Sequence, residues 1–102
     1  MNPYEEIMEH FGYRNQMKKL NEECYEFLEA VDNYEDMILC VKNVSDRDLK
    51  IAREFIIEEM GDILILITQF LVKYKITQEE LDSIMDNKIK RTINRIDEKY
   101  YD

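Results

Sequence analysis

Helix-breaking residues are nearly absent from this sequence. It contains two glycines and one proline, and the proline stands at position 3. A β-rich fold needs frequent turns, which draw on glycine and proline, so their scarcity argues against such a fold. We therefore expect an all-α protein in which the 102 residues form a single domain, 1–102.

Positive charge and histidine are also scarce. The chain carries 14 lysines and arginines against 23 acidic residues, which gives a net charge of −9. Such a surface repels a phosphate backbone, so we expect no nucleic acid polymer as a partner. His10 is the single histidine, which argues against a ferritin-like di-iron site because that site uses two E-x-x-H motifs. The sequence also contains no P-loop and no zinc-binding spacing of Cys and His.

The sequence lacks a hydrophobic run long enough to cross a membrane. Its longest apolar stretch is 63–67, extended through Phe70–Val72 and interrupted by two polar residues, whereas a spanning helix needs about 20 residues. The N-terminal segment is acidic and shows no secretory leader pattern. The two cysteines, Cys24 and Cys40, lie in segments that are predicted to be helical. Two thiols in a chain without a leader pattern or a membrane-spanning run predict a cytoplasmic protein with reduced cysteines and no membrane partner.

The spacing of apolar residues predicts two helices in the first half of the chain. The first begins at Pro3, which suits the first turn of a helix, and ends near Gly12. The second begins near Tyr13 and has apolar residues three and four positions apart. It either ends at 32–33 or bends and continues through 37–41.

Capping signals predict two further helices. A polar loop supplies Ser45 or Asp46 as the N-cap of a third helix over about 47–74. Thr77 and Glu80 form a capping-box pattern at the start of the last helix. Four isoleucines give this last helix an apolar stripe: Ile84, Ile89, Ile93 and Ile96.

The run at 63–67 is apolar on every side and has two interpretations. It could be a buried strand, but the flanking pattern is helical and the sequence offers no second strand to pair with it. A helix that is apolar on every side must be covered on every side. We therefore expect an antiparallel helical bundle of four to five helices that is completed by self-association, as a homodimer or homotetramer.

Two acidic pairs occupy matching positions on the second and third helices. At about 100° per residue, Glu23 and Glu26 lie about 60° and 120° from the centre of the apolar stripe, and Glu59 and Asp62 have the same offsets. Side-by-side helices would bring the four carboxylates together, where they repel each other and need cations. Oxygen ligands of this kind suit Mg²⁺ or Mn²⁺, and Gly61 indicates close approach by a helix, a ligand or a metal-bound water. The competing interpretation is that these acidic residues are only part of a solvated helix face.

Three segments around these carboxylates resemble one family in sequence and in order. They are QMKKLNEECYEFLEAV, EEMGDILILITQF and NKIKRTINRI. Together they resemble the MazG-like all-α nucleoside triphosphate pyrophosphohydrolases over about residues 13–98. The resemblance implies a helical bundle assembled as a dimer or a dimer of dimers. It also implies Mg²⁺-dependent cleavage between the α- and β-phosphates, which yields a monophosphate and pyrophosphate.

The family pattern E-E-x-x-E followed by E-x-x-D implies roles for individual carboxylates. The residues that match the Mg²⁺ ligands are Glu23, Glu26, Glu59 and Asp62. The resemblance also makes Glu22 and Glu23 the candidate catalytic carboxylates, with Glu22 orienting or activating water. One departure from the family is the stretch 27–58, which is longer than usual, with the extra length around 37–48.

A protein that binds the phosphates and the sugar of a nucleotide needs cationic and polar side chains at the site. The candidates are Lys19, Lys88, Arg91, Asn94 and Arg95. Lys19 lies one turn before Glu23 on the same edge of its helix. The competing interpretation is that these side chains are ordinary surface groups of an acidic protein. Two alternative functions stay open: a phosphoribosyl-ATP pyrophosphohydrolase-like activity, and a non-enzymatic helical dimerisation module whose carboxylates are only surface.

Overall fold

The computed structural model describes residues 1–40 and 43–101 of the chain. These residues form four α-helices and no strand, so the predicted all-α class is confirmed. The helices are α1 (Pro3–Phe11), α2 (Tyr13–Cys40), α3 (Asp46–Lys73) and α4 (Gln78–Tyr101). Among them there is no helix that combines the length and apolar character needed to span a membrane.

The ends of α1 follow the predicted local signals. The Asn2 side chain accepts a hydrogen bond of 2.7 Å from the backbone N–H of Tyr4, and Pro3 occupies the first turn. Gly12 ends the helix with a φ of 84°, a conformation that side-chain-bearing residues rarely adopt. The helix α2 then starts at the next residue, so α1 and α2 are joined by this single glycine.

Residues of the long segment between the two acidic motifs form the end of α2 and the start of α3. Of the two predicted ends for the second helix, the later one is confirmed, since α2 continues to Cys40. The residues Val41 and Lys42 lie outside the described residues. The N-cap of α3 is Ser45, whose hydroxyl accepts a 3.1 Å hydrogen bond from the N–H of Asp48.

The capping box of α4 is confirmed in both directions. The backbone N–H of Thr77 donates to Glu80 Oε2 at 2.9 Å, and the N–H of Glu80 donates to Thr77 Oγ1 at 3.1 Å. Two backbone donors at the helix start are therefore satisfied by the motif itself.

The helices α1, α2 and α3 pack together into a small bundle. The second and third run antiparallel, with Gln16 near the start of α2 bonded to Gln69 near the end of α3. The short α1 lies against both of them at this end, where Met8 and Leu66 are buried. At the other end of the pair Ala52 of α3 is buried.

The last helix stands apart from this bundle. Among the described residues, α4 makes no tertiary contact with α1, α2 or α3. Its four stripe isoleucines are each more than half exposed. Of the apolar run in α3, Leu66 is buried, but Leu64 is 55% exposed. The described part of the chain therefore covers only one side of the run.

Candidate active site

Three of the predicted carboxylates come together where α2 faces α3. Glu23, Glu26 and Glu59 each place a carboxylate oxygen within 4.8 Å of the others. The two α2 residues are one turn apart and so share a face, and the antiparallel register places Glu26 level with Glu59. Glu23 is only 8% exposed, which is unusual for an acidic side chain.

The proximity of these carboxylates changes how they hold protons. A carboxyl-to-carboxyl hydrogen bond with Glu23, partial burial and the negative charges of Glu26 and Glu23 raise the pKa of Glu59 to about 7, from an ordinary value of 4.5. Like charges at this distance disfavour full ionisation. Near neutral pH the cluster therefore retains a proton that isolated carboxylates would have lost.

Two oxygens of the cluster have no hydrogen-bond partner when all three carboxyls are ionised. They are Glu23 Oε2 and Glu59 Oε2, which are both buried in the described structure. Buried acceptors are normally satisfied, so these two call for a proton or a cation. Three converging carboxylates fit a divalent cation such as Mg²⁺ or Mn²⁺, which prefers oxygen ligands.

Lys19 supplies only part of the missing positive charge. Its Nζ lies 3.7 Å from Glu23 Oε1, which confirms that the two residues share one edge of α2. The lysine side chain is 58% exposed, so solvent weakens this ion pair. The cluster therefore keeps an excess of negative charge that a metal ion could neutralise.

Asp62 and Glu22 do not belong to this group of three carboxylates. Asp62 is exposed and lines a neighbouring cavity together with Glu23 and Lys19. Glu22 and Glu58 are exposed on their helices, and neither belongs to the group of three. The ligand role of Asp62 and the catalytic role of Glu22 stay predictions.

The predicted close approach at Gly61 does not occur within the described chain. A Cβ built at this position would meet nothing within 4 Å. The glycine lies on an exposed part of α3. No described residue of this chain therefore requires glycine at position 61.

The candidate substrate residues of the last helix are not brought to the carboxylates by this chain. Lys88, Arg91, Asn94 and Arg95 are all exposed on α4. Since α4 makes no contact with α2 or α3 among the described residues, these groups are separated from the cluster. Only Lys19 of the five candidates lies at the site.

Sequence reasoning missed a buried pair of amides next to the cluster. Gln16 and Gln69 are 4% and 1% exposed, and Gln16 Nε2 donates to Gln69 Oε1 at 2.8 Å. The available signal was a polar residue in an apolar position. Gln16 lies one turn before Leu20 of the apolar stripe, and Gln69 interrupts the apolar stretch of α3.

A comparison with protein families decides the identity of the domain. The profile of the MazG nucleotide pyrophosphohydrolase domain matches residues 11–100, nearly the whole chain. The chain belongs to the MazG family. No curated protein and no solved structure gives a significant match. The MazG match spans both acidic motifs and the basic part of α4, and MazG membership supports a nucleotide pyrophosphohydrolase function.

Proposed function

We propose that this protein is a Mg²⁺-dependent pyrophosphohydrolase that converts (deoxy)nucleoside triphosphates to monophosphates and pyrophosphate. The observation that carries the proposal is the convergence of Glu23, Glu26 and Glu59 around two unpaired buried oxygens, in a chain of the MazG family. The three carboxylates, with Asp62 beside them, are the ligands we propose for the ion. A reducing cytoplasm is the compartment we propose, because Cys24 is a free, half-buried thiol.

The proposed reaction adds water across the anhydride between the α- and β-phosphates. The water oxygen bonds to phosphorus as the bridging P–O bond breaks, and the water proton passes to a carboxylate. Bound Mg²⁺ would neutralise charge on the phosphates and help position them. Glu22 is exposed and directly precedes Glu23 in the chain, and it is our candidate for orienting the water and accepting its proton. Lys19 can reach a phosphate oxygen from the edge of the site.

The test is pyrophosphate release from a panel of nucleoside triphosphates, deoxynucleoside triphosphates and phosphoribosyl-ATP. We expect release with Mg²⁺ and none with EDTA. Glu59→Gln should abolish release, whereas the neighbouring exposed Glu58→Gln should retain it. Preference for phosphoribosyl-ATP would favour that alternative activity. The absence of release on every substrate would leave the non-enzymatic helical module as the better account.

We also propose that two copies of the chain complete the bundle. Four apolar residues lie on the outer side of α3 at spacings of three, four and three: Ile57, Met60, Leu64 and Ile67. They are 51%, 45%, 55% and 38% exposed. This spacing is typical of a helix–helix seam, and an exposed apolar stripe of this kind marks an interaction surface.

The charges of α4 favour a second copy as the occupant. Residues 87–96 contain four basic residues and no acidic residue, although the chain as a whole carries −9. The carboxylate cluster has the opposite charge and only Lys19 nearby. We therefore propose that α4 of one copy packs on α3 of the other and brings Lys88, Arg91 and Arg95 to the partner's carboxylates.

Mixing two inactive variants tests this arrangement. If Glu59 and Arg91 act from different copies, Glu59→Gln and Arg91→Ala proteins should each be inactive alone. When the two variants are unfolded, mixed and refolded together, the mixture should recover about a quarter of the wild-type activity. Random pairing makes half of the dimers mixed, and each mixed dimer has one intact site and one inactive site. Failure to recover activity, with native mass spectrometry showing mixed dimers, would place both residues in one copy.

A further inference from the structure

A cavity of about 350 Å³ adjoins the carboxylate cluster. A cavity of this size suits a small ligand. Its lining comes from three helices and includes Phe11 of α1, Gln16 and Glu23 of α2, and Asp62, Ile65 and Gln69 of α3. One end therefore holds the charged groups of the proposed metal site, and the other holds a buried pair of amides between apolar walls.

The amide pair can offer hydrogen bonds to a ligand. Each glutamine amide has two donor protons and an acceptor oxygen. The bond between Gln16 and Gln69 uses one proton of the first and part of the acceptor capacity of the second. Both side chains line the cavity and are otherwise buried, at 4% and 1% exposed, so a ligand in the cavity would meet their remaining donors and acceptors at its inner wall. The pair can also reverse its shared bond if both amides rotate, which exchanges the donor and acceptor that it presents.

The spacing between the amides and the carboxylates is the same on both helices. Gln16 lies seven residues before Glu23, and Gln69 lies seven residues after Asp62. Seven residues are two helical turns, about 10 Å along the axis. This distance is comparable with that from the α-phosphate of a nucleotide to the hydrogen-bonding edge of its base.

We propose that this cavity is the nucleobase subsite of the protein. Gln16 and Gln69 bind the hydrogen-bonding edge of the base, and Phe11 and Ile65 cover its faces. The inference rests on the proposed function, because it assumes that the phosphates lie at the carboxylates. The competing explanation is that the amide pair only fixes the register of α2 against α3.

Binding of reaction products tests the subsite without requiring catalysis. With Mg²⁺ present, the wild-type protein should bind common nucleoside monophosphates about tenfold or more tightly than ribose 5-phosphate, measured by titration calorimetry. Phe11→Ala should remove most of this difference while leaving the affinity for ribose 5-phosphate unchanged. Phe55→Ala is the matched control, since Phe55 is 54% exposed, Phe11 is 52% exposed, and Phe55 lies outside the cavity lining.

A substitution in the amide pair tests its role separately. Gln16→Leu should raise KM for nucleoside triphosphates about tenfold but leave kcat/KM for ribose 5-triphosphate unchanged. A merely structural amide pair would lower kcat/KM for both substrates in the same proportion, together with the melting temperature of the protein. If Gln16→Leu does not fold, the comparison of Phe11→Ala with Phe55→Ala still decides the question.

The failure of this inference differs from the failure of the proposed function. Equal affinity of the wild-type protein for monophosphates and ribose 5-phosphate would overturn the subsite. Equal rates of pyrophosphate release from nucleoside triphosphates and ribose 5-triphosphate would also overturn it, yet would keep the reaction. Selective binding of monophosphates that is lost in Phe11→Ala, without release of pyrophosphate from any triphosphate, would support the subsite and refute the reaction.

Discussion

Protonation of Glu59 should control the affinity of the site for Mg²⁺. A metal ligand must lose its proton before it binds the ion. The hydrogen bond with Glu23 and the nearby negative charges raise the pKa of Glu59 to about 7. With that pKa, about nine-tenths of the Glu59 carboxyls are protonated at pH 6 and about one-tenth at pH 8. The dissociation constant for Mg²⁺ should therefore rise about tenfold between pH 8 and pH 6.

Titration calorimetry in two buffers of different ionisation enthalpy measures both the affinity and the protons released. We expect about 0.9 protons released per bound ion at pH 6 and about 0.1 at pH 8. Glu58→Gln should behave as the wild-type protein does, because its exposed carboxyl lies outside the cluster. Glu59→Gln should bind Mg²⁺ more weakly and lose this pH dependence.

Two results would refute this reasoning. An affinity that does not change between pH 6 and pH 8 would show that no carboxyl of the site titrates in this range. A proton release that persists in Glu59→Gln would place the titrating group elsewhere. Either result would mean that the cluster does not share a proton in the way that its geometry indicates.

Three further predictions concern stability. Without divalent cations, protonated Glu59 contributes to the free energy of unfolding; this contribution is fully present below pH 4.5 and is lost as the pH rises through about 7. Urea denaturation should therefore show that the free energy of unfolding falls across this pH range in the wild-type protein but not in Glu59→Gln. Gly61→Ala should raise the unfolding free energy by about 1 kcal/mol, because a Cβ there meets no described residue; a decrease would show that another surface packs at this position. Thr77→Ala should destabilise the start of α4 by about 1 kcal/mol, seen as faster amide exchange in α4, and unchanged exchange would contradict a role for the capping box.

The helices were largely predictable from sequence because their ends depend on local interactions. The capping box of Thr77 and Glu80, the cap at Ser45 and the glycine at position 12 each act within a few residues of their own position. Two ends of α2 were compatible with the sequence, because residues 32–33 are polar whereas apolar residues resume at 37–41. The separation of α4 from the other described helices was not predictable, because periodicity gives the apolar face of a helix but not the surface that covers it.

The site was predictable in part because the positions of side chains around a helix follow from local helical geometry. Angular offsets on two helices indicate which carboxylates share a face, and Glu23, Glu26 and Glu59 come together as those offsets predict. Offsets do not give the direction in which each side chain extends, so they did not separate Asp62 from the group. The hydrogen bond between Gln16 and Gln69 joins residues 53 positions apart. It depends on how α2 packs against α3, so the sequence alone did not predict it.

The most direct test of the central claim is a crystal structure with Mn²⁺ and a nucleoside triphosphate analogue that resists hydrolysis. An anomalous difference map locates Mn²⁺ independently of the fitted protein. We expect a peak within direct coordination distance of Glu23, Glu26 and Glu59, with the phosphates of the analogue beside it. A nucleotide bound elsewhere, or a well-occupied nucleotide without a peak between these carboxylates, would contradict it.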